Sequence, residues 1–189
     1  MSEKDTKEMD NLFAERLLKS RTIFISGGVD QELAKDISTK LLLLEAASDE
    51  PITIFLNSQG GHVEAGDTIH DMIKFVKPEV KIIGTGWVAS AGITIYLAAK
   101  PENRYSLPNT RYMIHQPAGG VQGQSTEIQI EAKEIVKMRE RINRLIATAT
   151  GQSYEKVAQD TDRNFWMSVD EAKEYGIVTH LIENREDLK

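Results

Sequence analysis

A chain of 189 residues is long enough for one domain with a full hydrophobic core and short for two. Hydrophobic residues make up 40% and charged residues 28%, a globular balance, and the net charge of -6 is spread along the chain, which argues against a nucleic-acid partner. With no cysteine, disulfides, thiolate catalysis and cysteine-ligated zinc are excluded.

No window reaches the roughly 18 apolar residues of a membrane span, and the charged start, Met1 to Asp10, has no apolar stretch to act as a secretory signal. The expected compartment is therefore the cytoplasm. After that start, Leu12 to Lys19 reads as a short helix. Thr22-Ile23-Phe24-Ile25 is a β run stopped by Gly27-Gly28. Leu33, Ile37, Leu41 and Leu44 recur at helical spacing, which predicts a helix from Asp30 to Ala47 with one buried face. Pro51 breaks it, and Ile52 to Leu56 follows as a short, nearly all-apolar strand of the kind found in parallel sheets. The alternation continues with a helix from Val63 to Val76, a strand from Val80 to Gly84 and a helix from Ala89 to Ala99. Two further β runs lie around Arg104 to Leu107 and Arg111 to His115. Repetition of this kind predicts an α/β fold built from βαβ units in a single domain spanning 1–189.

Gln116 to Gln124 is a Gly-rich arm that leads into a long helix, Ser125 to Thr148, with Thr126 and Gln129 as a capping box. Ile128, Ile135, Met138, Ile142, Leu145 and Ile146 form its apolar stripe. Pattern alone leaves open whether that stripe meets a partner or the chain's own core. Gly151 closes the helix, Ser168 with Glu171 caps the last one, and Ile177 to Ile182 is the final strand.

Ser90 stands among small residues, Gly86-Trp87-Val88-Ala89-Ser90-Ala91-Gly92, between an apolar strand and an apolar helix. A serine hydroxyl becomes a nucleophile only with a base to take its proton and donors to hold the oxyanion. If Ser90 opens the helix, the N–H of Ala91 faces out of the helix start. Taken alone, a serine there is more often an N-cap. The Gly60-Gly61 pair after a buried strand could turn backbone N–H groups toward a ligand, or simply make a turn. It is not a phosphate loop, since neither P-loop nor dinucleotide spacing is present. His115 ends a strand, and imidazole titrates near neutral pH, which suits a general base. His62, His70 and His180 read as surface or satisfied histidines, and no histidine spacing suggests a metal site. Further on lies the Asp-rich turn Asp160-Thr161-Asp162-Arg163-Asn164.

These pieces occur in runs. Asn57-Ser58-x-Gly60-Gly61, Ala89-Ser90-x-Gly92 and Met113-Ile114-His115-Gln116-Pro117-x-Gly119-Gly120-x-Gln122-Gly123 closely resemble ClpP, the serine peptidase core of the bacterial Clp proteases. So do Thr150 to Ser153, Asp160 to Arg163 and Glu171 to Gly176, and the resemblance covers about residues 12 to 182. It implies a ClpP/crotonase-like spiral of βαβ units with a protruding handle at 116–150. Ser90 would be the nucleophile, His115 the base, and the N–H groups of Gly61 and Ala91 the oxyanion hole. Asp162 and Arg163 would lie near a contact between stacked seven-membered rings, making a tetradecamer. Unfolded polypeptides would arrive from a Clp-type AAA+ unfoldase, and no cofactor or metal is expected.

The family's triad aspartate falls here on Asn164, which can accept the histidine N–H but brings no charge. The resemblance therefore implies a weakened Ser90-His115-Asn164 triad. Gln59 stands where the family has proline and Ala91 where it has methionine. The segment before Leu17-Leu18-Lys19, within the axial region at 1–20, lacks the family pattern. A second reading is a mainly structural subunit that joins rings with a more active ClpP sibling. A third is a crotonase-type acyl-CoA enzyme, which would have no use for Ser90 with His115.

Overall fold

The computed structural model describes residue 13 and residues 15–188. Most of the axial region expected at 1–20, including Leu12 of the first expected helix, lies outside the described residues; residues 15–19 are helical. Strands and helices then alternate: β1 (Thr22–Val29), α1 (Gln31–Ala47), β2 (Ile52–Gly61), α2 (Val63–Phe75), β3 (Val80–Ala89), α3 (Ala91–Tyr96), β4 (Arg104–Ser106) and β5 (Arg111–Ile114). The second half holds the long helix α4 (Ser125–Thr150), α5 (Tyr154–Asp160), β6 (Phe165–Met167), α6 (Val169–Tyr175) and β7 (His180–Leu181).

Among the described residues one seven-stranded sheet results, with the order β1-β2-β3-β4-β7 running parallel throughout. The edge of β3 is shared between two neighbours. Ile82 to Gly84 pair with β4, and Trp87 to Ala89 pair with β5. β6 then adds to β5 as the antiparallel member.

Burial explains the elements. α1 turns Ala34, Ile37, Leu41 and Leu44 inward, and each large aliphatic so buried contributes about 1.5–3 kcal/mol. Arg21, at φ 52, closes the start of β1 by donating to the Leu44, Ser48, Glu50 and Pro51 carbonyls. A buried guanidinium, Arg104, donates to Leu97, Ala99 and Ala149, joining the end of the α3 region to the end of α4.

Several boundaries differ from expectation. β1 does not stop at Gly27-Gly28; its pairing with β2 shifts register between Ser26 and Gly28 and resumes to Val29. β2 and β3 run on to Gly61 and Ala89, bringing sheet geometry up to the residues of interest. α4 is capped two residues earlier than expected. The Glu127 carboxylate accepts the Gln124 N–H at 3.1 Å, in place of Thr126 with Gln129. The final apolar run yields only a two-residue strand, because Ile177 and Val178 both donate back to the Ala172 carbonyl in a buried turn. α5 and β6 were not expected from the sequence; Ser153 caps α5 by accepting the Lys156 N–H.

The two halves of α4 behave differently. Ile142, Asn143 and Ile146 are buried, whereas Ile128, Ile130 and Val136 are exposed in the single chain. The C-terminal half is a core helix, and the N-terminal half stands clear of it.

Candidate active site

Three chain segments meet at Ser90. β3 ends at Ala89, and Ser90 takes φ 56, ψ -123, a left-handed conformation that costs a non-glycine residue about 1–3 kcal/mol. Two hydrogen bonds hold it there: its N–H donates to the Met113 carbonyl at 3.0 Å, and its carbonyl accepts the Ile93 N–H at 2.9 Å. A helix cap needs extended backbone and a side chain turned back on the helix. Ser90 has neither, and its Oγ instead lies 2.7 Å from His115 Nε2. The strained turn aims the hydroxyl outward.

His115 directly follows β5. Its Nδ1 is 3.0 Å from Asn164 Oδ1. With the carboxamide oxygen facing it, Nδ1 carries the proton, which leaves Nε2 as the acceptor for the Ser90 hydroxyl. Asn164 reaches this position through the β5–β6 pairing. Phe165 lies opposite Ile114, so the preceding residue falls opposite His115. On its other flank, Gln116 ties the same segment down, its N–H donating to Thr161 O at 2.6 Å and its Nε2 to Asp162 O at 2.7 Å.

The Gly60-Gly61 segment crosses in front of this turn. A Cβ on Gly60 would stand 2.5 Å from Ser90 Cβ and 2.9 Å from Ala91 N, so only glycine permits the approach. A Cβ on Gly61 would collide with the Val29 carbonyl. That carbonyl accepts the His62 N–H, so the alternation of a parallel ladder turns the Gly61 N–H away from β1. Ala91 opens α3, where first-turn N–H groups have no partner within the helix. The Ala91 N–H thus directly follows Ser90, and Gly61 follows the Gly60 approach to it.

Supports for this segment went unread in the sequence. Ser58 is fully buried, donates to Gly27 O at 2.6 Å and accepts the Gly60 N–H at 3.0 Å. The Gln59 carboxamide, oriented by its partners, spans Gly27 O and Gly28 N at 3.2 and 3.1 Å. The register shift in β1 is therefore the point to which the Gly-Gly segment is tied. The remaining histidines lie elsewhere. His62 faces Glu64, His180 stacks on Tyr105, and buried His70 donates from Nδ1 to Thr94 O at 2.7 Å, with desolvation lowering its pKa. Among the described residues no three His, Asp or Glu side chains cluster to hold a metal ion, and no helix is long and apolar enough to cross a membrane.

The Clp protease family model matches residues 4–185. The chain belongs to the Clp protease family. ATP-dependent Clp protease proteolytic subunit 3 of Rhizobium etli is 56% identical over 172 residues, covering 91% of this chain and 89% of that one. Proteolytic subunit 2 of Gluconobacter oxydans is 54% identical over 192 residues, covering 99% and 86%. Among solved structures, ClpP1 from Listeria monocytogenes shares 69% identity with a TM-score of 0.86, covering 94% of this chain and 99% of that one. An asparagine-to-aspartate mutant of the same protein shares 70%, with a TM-score of 0.88 and the same coverage. The α/β fold is thus the ClpP fold.

In this Clp protease chain a small, largely apolar cleft opens beside Ser90. Val63, Ile93, Ile114 and Pro117 line it, with Ile142 and Ile146 from α4. Asp162 and Arg163 are exposed; Asp162 pairs with Arg139 of α4 at 3.2 Å, and the Arg163 guanidinium lies 3.6 Å from it. The turn that carries Asn164 is thereby linked to the long helix.

Proposed function

We propose that this chain is the proteolytic subunit of an ATP-dependent Clp protease, a serine endopeptidase that works through Ser90, His115 and Asn164. The observation that carries the reading is the imidazole of His115 bridging Ser90 Oγ at 2.7 Å and Asn164 Oδ1 at 3.0 Å. In the reaction, His115 Nε2 takes the Ser90 proton as Oγ attacks the scissile carbonyl, and the N–H groups of Gly61 and Ala91 receive the oxyanion. His115 returns the proton to the leaving amine, and water then hydrolyses the acyl-enzyme by the same exchange in reverse. Asn164 fixes the tautomer and supplies no charge to the imidazolium, so turnover is slow.

The exposed half of α4 supports assembly into two stacked heptameric rings in the cytoplasm, with the Gly-rich arm and 116–150 as handle and Asp162 and Arg163 at the ring–ring contact. Substrates are unfolded polypeptides delivered by a Clp-type AAA+ partner. Asn164 also motivates a second reading, in which the chain mainly supports a more active ClpP sibling in mixed rings.

Particle mass and hydrolysis of short fluorogenic peptides, with Ser90→Ala as control, separate these readings. Activity of the assembled chain that disappears in Ser90→Ala supports the peptidase. A correctly sized particle without activity, alongside recovery of activity on mixing with a sibling whose own serine is intact, supports the structural role.

A further inference from the structure

Trp87, Arg111 and Trp166 come from three strands, and each strand directly adjoins one of the three proposed catalytic residues. Trp87 precedes Ser90 by three residues on β3, and Arg111 precedes His115 by four on β5. Trp166 follows Asn164 by two on β6. Trp87 pairs with Arg111, and Met113 with Trp166. Alternation along a strand then sets Arg111, Met113 and His115 on one face of β5, with Trp166 and Asn164 beside them. On that face the two indoles stack, with centroids 6.2 Å apart and planes 11° apart. The Arg111 guanidinium lies 4.3 Å above the Trp166 ring. None of the three is buried, and Trp87 keeps 41% of its surface exposed. Their contribution lies in joining three strands rather than in filling a core.

We infer that this stack is a positioning clamp that holds β3, β5 and β6 at the register where His115 spans Ser90 and Asn164. It rests on the catalytic reading proposed above. Asparagine makes the need acute. A carboxylate offers two equivalent oxygens and a charge that attracts the imidazolium from a range of positions. A carboxamide offers one oxygen, and a half-turn presents its NH2 to Nδ1 and favours the other tautomer. Asn164 is exposed and its side chain's partner is His115, so its placement depends on the backbone of β6. β6 has only three residues, of which Trp166 alone falls on this face. Trp87, Arg111 and Trp166 are positioning residues and do not touch the reacting atoms.

The test is a cycle between Trp166→Ala and Asn164→Asp in the assembled full-length protein, with Trp166→Phe as the conservative variant. Two signals are read: the rate at which a fluorophosphonate modifies Ser90, and the 15N shifts of His115, assigned by its loss in His115→Gln. With asparagine at 164, Trp166→Ala should slow modification by about tenfold or more, as expected of misplacing a catalytic group. With aspartate the loss should shrink to about threefold or less, a non-additivity that marks coupling. Trp166→Phe should retain most of the rate. The His115 spectrum should change from a single Nδ1–H tautomer to a mixture in Trp166→Ala alone. Equal losses in both backgrounds, or an unchanged tautomer, would overturn the clamp. If Trp166→Ala does not assemble, Arg111→Met at the exposed edge carries the same comparison. Unreactive Ser90 in every protein would count against the catalytic reading, and the tautomer would still decide the clamp.

Discussion

Replacing Asn164 by aspartate changes one atom and adds one charge, 3.0 Å from His115 Nδ1. During attack on a carbonyl, His115 becomes an imidazolium, and the new carboxylate would stabilise it. Coulomb attraction at that distance runs from about 1.4 kcal/mol with the screening of bulk water to about 5.5 kcal/mol at an effective dielectric of about 20. Those limits correspond to roughly 10-fold and 10⁴-fold in rate. Asn164 is exposed in the single chain, which places the gain toward the lower limit. We expect Asn164→Asp to raise turnover of a short fluorogenic peptide about 10- to 100-fold. The gain should lie in kcat with KM unchanged, since the added stabilisation exists only in the transition state. The assay compares both proteins as particles of equal, measured mass. An assembled Asn164→Asp particle with unaltered kcat would refute the weakened-triad argument, as would a gain confined to KM.

Two other perturbations follow from the packing. Gly60→Ala sets a methyl group against Ser90 Cβ and Ala91 N at φ 92, which should lower unfolding stability by about 1–3 kcal/mol and remove peptide hydrolysis together; denaturant midpoints and activity measure both, and a normal rate would mean the Gly60 approach is not required. His70 is held neutral by burial, with a pKa below its ordinary 6.5. The unfolded chain therefore binds the proton more readily. This contribution is present in full above pH 6.5 and is lost as pH falls through the depressed folded value. The thermal midpoint should fall more steeply on acidification from pH 7 to pH 5 than in His70→Gln, and parallel curves would contradict the assignment.

Sequence reading recovers features with a period or a chemical signature and misses those set by pairing. The α1 face was legible because Ile37, Leu41 and Leu44 repeat at helical spacing and fill one side of the sheet. Ser90, His115 and Asn164 were legible as members of family motifs, but nothing local indicates that Ser90 adopts a positive φ. Its neighbours suit an ordinary helix cap equally well. β6 escaped because three residues show no periodicity, and its strand character comes from pairing with Tyr112, Met113 and Ile114. Gly27-Gly28 read as a stop, yet Ser58 and Gln59 convert that position into an anchor by bonding to its backbone. The Gln124 cap was missed because glutamine is not a favoured N-cap residue, while Thr126 is. The meeting of Trp87 with Trp166 exists only through β5 between them.

The most direct test of the central claim is intact mass after exposure of the assembled protein to a serine-directed fluorophosphonate. One phosphonyl adduct per subunit, located at Ser90 and absent from Ser90→Ala, with much slower formation in His115→Ala, is the predicted result. An unmodified Ser90 in a correctly assembled particle, or modification at an undiminished rate without His115, would contradict an activated Ser90–His115 pair.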